Sequence, residues 1–311
     1  MTRRPNVRNH SMTAESTAGF TPLLTTRDWN EEWKQLQVAR RKADSAEFWN
    51  KRSASFGSKD APSHYVTAFL NLLQLDPGDT VFDMGCGNGG LALPLAQAGH
   101  PVIAADFSTG MLSRLKADAA AQGLENITPL LMSWADDWDA FGVVEDCADV
   151  AFASRSIATE DLKDSLMRLT RVARKRVCVT LSTGASPRAD QRMLRDLGLG
   201  SELGRDYLYA FNILAQEGLR PSVNYIRSQR VDCFETYQEA YESLERMVMD
   251  VTEPLSPARR ESALGKLEGW LKADLVENPN AGQLDNKGQA QGRYMLSQPR
   301  LLDWAFISWD V

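Results

Sequence analysis

Between residues 80 and 182, short apolar runs alternate with stretches of helical periodicity, and this rhythm constrains the fold more than any other feature. "TVFDM", "PVIAAD", "ITPLLM", "ADVAFAS" and "RVCVTLS" have strand length and composition. Between them lie "GLALPLAQAG", "STGMLSRLKADAAAQG" and "TEDLKDSLMRLTRVAR", and the last of these puts Leu162, Leu166, Leu169 and Val172 on one face. Strands alternating with helices predict a doubly wound α/β fold, a mostly parallel sheet covered on both faces. Upstream, 28–49 is expected to be one helix, from the spacing of Trp29, Trp33, Leu36 and Ala39. A second is expected over 62–75, with Pro62 in its first turn and Tyr65, Phe69, Leu72 and Leu73 on its apolar side. After residue 184 the rhythm loosens. "YLYAFNILAQEG" reads as a helix, "SVNYIRS" as a sixth strand, 236–250 and 257–276 as helices, and "WAFISW" as a seventh strand.

The 311 residues allow one large domain with an insertion, or two domains. We expect an arm at 1–27, N-terminal helices at 28–75, a cofactor-binding core at 76–230, a helical insertion at 231–300 and a last core strand at 301–311. The arm is basic but no apolar stretch follows it, so it reads as disordered rather than as a secretory signal. No apolar run reaches the roughly 18 residues of a membrane span. The net charge of −6 argues against a nucleic-acid partner, which favours a basic footprint. None of the four cysteines forms a CxxC pair, so no metal site is expected, and the pattern suits a reducing cytoplasm.

The sharpest motif is "FDMGCGNGG", residues 82–90. It contains Gly85-x-Gly87-x-x-Gly90, the spacing of a dinucleotide loop, and also Gly85-x-Gly87-x-Gly89 preceded by Asp83. A glycine turn after a first strand lets a ligand approach the backbone, and the next helix offers free N–H groups. Asp83 separates the two readings. A pyrophosphate beside it would meet a like charge. S-adenosylmethionine has no phosphate, and its ammonium and sulfonium favour a carboxylate. The plainer role for Asp83 is a helix cap. Asp106 ends the second strand, 21 residues after Gly85, where an acidic side chain accepts from ribose hydroxyls. After the third strand, "SWADD" offers Asp136 to an adenine amino group, with Trp134 or Phe107 to cover the ring.

"VFDMGCGNGGLALPLAQAGHPVIAADFSTGML" resembles the first two motifs of class I S-adenosylmethionine-dependent methyltransferases, in the branch of ubiquinone-biosynthesis-type and other small-molecule enzymes. The resemblance spans roughly residues 62–183. It implies a Rossmann-like sheet of seven strands with the last antiparallel. It implies that Asp83, Gly85, Gly87 and Gly89 hold the methionine part, Asp106 the ribose, and Ala135 with Asp136 the adenine. Cys86, Phe107, Met111, Trp134, Ser154, Arg155 and Tyr65 complete the expected cofactor shell. Pro94, inside the helix after the loop, is expected to kink it.

Several methyltransferase subclasses lack their signatures here. "ASRSIATED" after the fourth strand carries neither the Asn/Asp-Pro-Pro-aromatic run of amino-methylating DNA enzymes nor the Pro-Cys of cytosine-C5 enzymes. It has one glutamate, Glu160, where protein-arginine enzymes have two. "ASRS" and "TLSTG" do not supply the magnesium site of catechol-type enzymes, and Cys86 alone does not make an arsenite site. The expectation is therefore metal-independent methyl transfer to a small-molecule acceptor. A macromolecular methyltransferase acting on RNA or protein, a non-catalytic S-adenosylmethionine-binding protein and a nicotinamide dehydrogenase stay open as alternatives. The catalytic residue is not legible. His64 is a candidate base, its plainer reading an exposed first-turn histidine. Arg155 is a candidate for an acidic group on the substrate, its plainer reading a surface ion pair. Arg52 and Tyr65 are candidates for the cofactor carboxylate. Residues 231–300, rich in tyrosine, methionine and tryptophan, are expected to join the helices around Trp33 and Trp49 in a cap, with a mobile polar loop at 278–292.

Overall fold

The computed structural model describes residues 28–40, 45–53, 63–184, 189–199, 205–249, 251, 256–285 and 289–311. Three helices come first: α1 (Trp29–Arg40), α2 (Ala46–Arg52) and α3 (His64–Leu73). Next come β1 (Val81–Met84), α4 (Ala92–Gln97), β2 (Val102–Asp106), α5 (Thr109–Ala121), β3 (Ile127–Leu131), β4 (Ala148–Ser154), α6 (Leu162–Val172) and β5 (Ala173–Ser182). The chain continues through α7 (Gln191–Asp196), α8 (Asp206–Gln216), β6 (Ser222–Arg230), β7 (Cys233–Phe234), α9 (Tyr237–Met249) and α10 (Pro257–Asp274). It closes with β8 (Leu275–Glu277), β9 (Tyr294–Leu296) and β10 (Arg300–Asp310).

The seven-stranded sheet has the order β3-β2-β1-β4-β5-β10-β6, and β10 runs antiparallel to both β5 and β6. The order reverses between β1 and β4, the switch point at which ligands bind such sheets. Strand alternation sorts side chains between two cores. Phe82 and Met84 of β1, Ala151 and Ala153 of β4, and Val177 and Val179 of β5 meet α1, α6 and α8. Val81, Val150, Phe152, Cys178 and Phe306 meet α3, α4 and α5. Phe69 of α3 packs edge-to-face on Phe152 and Phe306, with ring centroids 5.4 and 5.2 Å away. On α6, the expected stripe of Leu162, Leu166, Leu169 and Val172 is fully buried.

The upstream helices differ from the reading of the sequence. The stretch 28–49 is two helices, because Ser45 caps α2 by accepting from the Phe48 N–H. Ser63 caps α3, and Pro62 lies outside the described residues, as does the arm 1–27. Pro94 is the third residue of α4; Leu93 N and Leu95 N on either side donate to Gly89 O and Leu91 O, and the proline omits the bond between them, in the first turn where proline is tolerated.

The expected cap differs more. α1 is tied to the loop after β4, with Asn30 and Lys34 both reaching Asp161. It lies on one sheet face, with Trp33 Nε1 donating to Thr159 O at 2.8 Å and Arg40 held bidentately by Asp206. α2 docks on α5. Residues 231–299 build a separate unit around a three-stranded sheet, β7-β9-β8. Its core joins Leu244, Val248, Leu267, Leu271 and Leu296 to Met193, Leu194 and Leu197 around α7, so two segments of chain build it. A ribbon of β6 and β10 carries it: Arg227–Arg230 pair with Arg300–Asp303 beyond the end of β5. At that neck the Asp232 carboxylate, 7% exposed, binds the Arg300 guanidinium, and Arg230 Nε reaches it at 2.8 Å. The segment expected to be a mobile polar loop is a paired turn, in which Gly282 N donates to Gln291 O and Leu284 bridges Ala290.

Candidate active site

The turn after β1 is hooked to β2: the Gly85 and Cys86 N–H groups both donate to Ala105 O, at 2.8 and 3.0 Å. Two of its glycines are required for different reasons. A Cβ on Gly85 would lie 2.3 Å from Ser156 Cβ, so the loop after β4 can rest on it only because Gly85 has no side chain. Gly87 has φ 56° and nothing within 4 Å of a Cβ position, so it leaves open space over the turn. Gly89 faces inward instead, against Leu115.

Asp83 projects from β1 on the face of α3 and caps no helix. It is 1% exposed and its Oδ1 has no hydrogen-bond partner. Burial, then the neighbouring Asp106 charge, push its carboxyl well above the usual range. A buried acid with an unfilled acceptor and no cation is a site shaped for a positively charged group. Asp106, 5% exposed, accepts from Gly87 N at 2.9 Å and Ser108 N at 2.8 Å. Burial raises its pKa although these N–H groups pull it down. The same carboxylate therefore holds the loop and, through its remaining lone pairs, can accept from a ribose.

A family profile described as a methyltransferase domain matches residues 81–176, the segment from β1 through the start of β5. An uncharacterized protein of Haemophilus influenzae is 32% identical over 271 residues, 85% of this chain and 88% of its own. The chain belongs to the class I S-adenosylmethionine-dependent methyltransferases. It is a methyltransferase enzyme with S-adenosylmethionine as its cofactor. Over 71 residues it is 37% identical to a 23S rRNA (uracil(1939)-C(5))-methyltransferase, RlmD, of Photobacterium angustum, a match covering 23% of this chain and 32% of that one. Among solved structures, YcgJ of Bacillus subtilis is similar at 14% identity and TM-score 0.47, over 79% of this chain and 97% of that one. Magnesium protoporphyrin IX methyltransferase of Synechocystis with bound S-adenosylmethionine is similar at 18% identity and TM-score 0.42, over 62% and 90%.

In this methyltransferase the remaining candidates fall into three groups. Tyr65, Ser154 and Arg155 come together with two residues the sequence did not mark, Thr180 and Trp304. Tyr65 Oη lies 2.7 Å from Ser154 Oγ and 2.8 Å from Thr180 Oγ1. The Arg155 guanidinium sits over the Tyr65 ring, 4.3 Å from its centroid. Burial raises the Tyr65 phenol, partly offset by the Arg155 charge. Thr180 carried one signal, a hydroxyl inside the apolar run from Val177 to Leu181.

Phe107, Trp134, Ala135 and Asp136 follow β2 and β3. Phe107 is 37% exposed beside Asp106, free to cover a ring. Trp134 Nε1 donates to Ser156 O at 2.9 Å, tying the two loops. Asp136 spends one oxygen on Ser133 N at 2.7 Å, and with Ala135 it lines an open depression shared with Arg168 and Arg171.

The last group is not presented to the site. Met111 is 2% exposed on α5, and Cys86 is buried with a thiol pushed well up by that burial. His64 is exposed on the first turn of α3, one residue from Tyr65 and therefore turned about 100° away around the helix. The Arg52 side chain lies outside the described residues. Asn50 of α2 was missed: its Oδ1 accepts from Ser108 Oγ at 2.7 Å and Gly110 N at 2.9 Å, fastening α2 beside Asp106. No local pattern marks it. No helix among the described residues is long and apolar enough to cross a membrane.

Proposed function

We propose that the enzyme methylates a small-molecule acceptor by in-line displacement without a metal, with Asp83 and Asp106 gripping the cofactor. The observation that carries the cofactor half is the orphaned Oδ1 of buried Asp83. The bound cofactor supplies an electrophilic methyl group on a sulfonium. Asp83 meets its positive end, Asp106 takes the ribose, and the open backbone at Gly87 lets it lie close. The acceptor half is supported by what surrounds the strand ends: the hydroxyls of Tyr65, Ser154 and Thr180, the rings of Tyr65 and Trp304, and one exposed guanidinium. None of these is a base at neutral pH. Burial keeps the Tyr65 phenol protonated, within hydrogen-bond distance of both hydroxyls. The acceptor atom is therefore one that arrives already nucleophilic, and the chain's contribution is orientation and exclusion of water.

The partial similarity to RlmD favours a second reading, methylation of RNA. Both are tested by incubating the enzyme and S-adenosylmethionine labelled on the methyl group with a cell extract, then separating low-mass, RNA and protein fractions. The expected result is label in the low-mass fraction. Label in 23S rRNA would replace the small-molecule reading with the RNA one.

A further inference from the structure

Arg155 carries a charge that the fold leaves uncommitted. Arg168, Arg171, Arg174 and Arg176 follow within 21 residues, and each grips an aspartate: Asp164, Asp139, Asp149 and Asp310. Arg155 is exposed and rests on two rings, 4.3 Å from the Tyr65 centroid and 5.9 Å from that of Trp304. Among the described residues, nothing accepts a hydrogen bond from its guanidinium. A ring contact uses the charge and none of the five N–H donors.

The backbone shows that this placement is held on purpose. Arg155 has φ 59°, in the left-handed region that costs a non-glycine residue about 1–2 kcal/mol. Its N–H donates to Thr180 Oγ1 at 2.9 Å. Ser154 Oγ is tied to Tyr65, and Ser156 Oγ donates to Met84 O at 2.6 Å. Three neighbouring contacts thus maintain a strained turn that lays one cation across Tyr65.

The sheet order says what that cation faces. Asp106 ends β2, Asp83 is the last but one residue of β1, and together they mark the cofactor. Arg155 follows β4, on the opposite side of Asp83 from Asp106, toward β5 and β10. An acceptor must stand on that side to face the cofactor's charged end. The geometry points to Arg155 as the clamp for an oxo-acid group, a carboxylate or a phosphate, on the methyl acceptor. The inference rests on the small-molecule reading. A guanidinium suits such a group because its planar fork matches two oxygens.

The test uses the full-length enzyme with Arg155→Asn, whose side chain tolerates the left-handed backbone, and Arg155→Lys, which keeps the charge. Calorimetry measures S-adenosylhomocysteine binding to each. Ligand-observed NMR on protein loaded with S-adenosylhomocysteine then screens small carboxylic acids and phosphate monoesters, each paired with its amide or alcohol. The expected result is cofactor-product affinity within about threefold of wild type in both variants. Acids should bind the wild type in preference to their neutral partners. That preference should fall at least about tenfold in Arg155→Asn and survive in part in Arg155→Lys. Whether carboxylates or monoesters bind identifies the source of the oxo-acid. A loss of about thirtyfold or more in S-adenosylhomocysteine affinity in Arg155→Asn would assign the guanidinium to the cofactor's own carboxylate and overturn the proposal. Neutral members binding as well as acids would overturn it while leaving a small acceptor standing. Binding by neither class would remove both readings.

Discussion

Replacing Asp83 with Asn should make the cofactor-free enzyme more stable and the cofactor weaker, two effects of opposite sign from one charge. Asp83 is 1% exposed, its Oδ1 has no partner, and the charge it feels is a second carboxylate, Asp106. Its folded-state pKa is thus raised above the unfolded value of about 3.9. Between the two values the folded chain keeps a proton that the unfolded chain releases. The stability this supplies is full below the unfolded pKa and is lost as pH rises through the folded one. At neutral pH an ionised Asp83 is therefore a net cost to the empty enzyme. Asn has nearly the same shape and no charge to desolvate. The expected gain is about 1–3 kcal/mol, the scale of an unsatisfied buried polar group, seen as a rise of a few degrees in Tm. With the cofactor bound, the carboxylate makes a charge-assisted contact worth about 1.5–3 kcal/mol, so Asp83→Asn should weaken S-adenosylhomocysteine about 10- to 150-fold. Wild-type affinity should also fall about tenfold per pH unit below the raised pKa of Asp83, because binding must then expel a proton, and the variant's affinity should be flat there. Thermal unfolding with and without S-adenosylhomocysteine, and calorimetry between pH 5 and 8, read all three. A destabilised variant with unchanged affinity would refute the reasoning and make Asp83 a structural acid.

Asp106→Ala should weaken S-adenosylhomocysteine by about 1.5–3 kcal/mol in calorimetry and also lower Tm, because the Gly87 and Ser108 N–H groups lose their acceptor. Native Tm with lost affinity would mean that water replaces the carboxylate in the loop. Asp232→Ala removes the carboxylate that binds buried Arg300, a cost of about 3–5 kcal/mol. Hydrogen exchange should then quicken in 233–296 while Val81–Asp106 stays protected; uniform quickening would show that the ribbon-borne unit and the core unfold as one.

Most of the sheet was legible because strands buried on two faces must be written as apolar runs, and β1, β2, β4 and β5 are. Asp83 and Asp106 stood out as candidates for the complementary reason: each is an acid in the last residues of such a run, where the core cannot be what selects it. The misreadings have physical causes. The period of Trp29, Trp33 and Leu36 carries on into Phe48 and Trp49, so spacing alone hides the break that Ser45 makes. The segment 278–292 looks like a free loop by composition, yet its backbone groups pair with one another. α7 was missed because its apolar face, Met193, Leu194 and Leu197, finds its partners in 231–299, across α8 and β6, and no local pattern records a contact of that range. Thr180, Trp304 and Asn50 escaped for the same reason, since each acquires its role from a neighbour brought by the fold.

The register of the sheet explains why the site lies where it does. On the face shared with α3, three strands change character as they approach their C-terminal ends: Val81 gives way to Asp83, Phe152 to Ser154, and Cys178 to Thr180. On the other face Met84, Ala153 and Leu181 remain buried and apolar to the end. Pairing sets Ser154 opposite Thr180, while Asp83 stands opposite Phe152 and Trp304 opposite Ser182, so the change comes one step earlier on β1 than on β4. Polar side chains thus appear near the ends of three neighbouring strands on a single face, and Tyr65 of α3 meets two of them, Ser154 and Thr180. This divides the labour. On the proposed reading, cofactor binding depends on β1, β2 and their loops, within the matched methyltransferase segment. On the same reading, the surroundings of the acceptor depend on α3 before that segment and on β10 after it. The sheet can then keep its cofactor while α3 and β10 change the acceptor, and substitutions at Tyr65 or Trp304 should alter acceptor choice more than S-adenosylhomocysteine affinity.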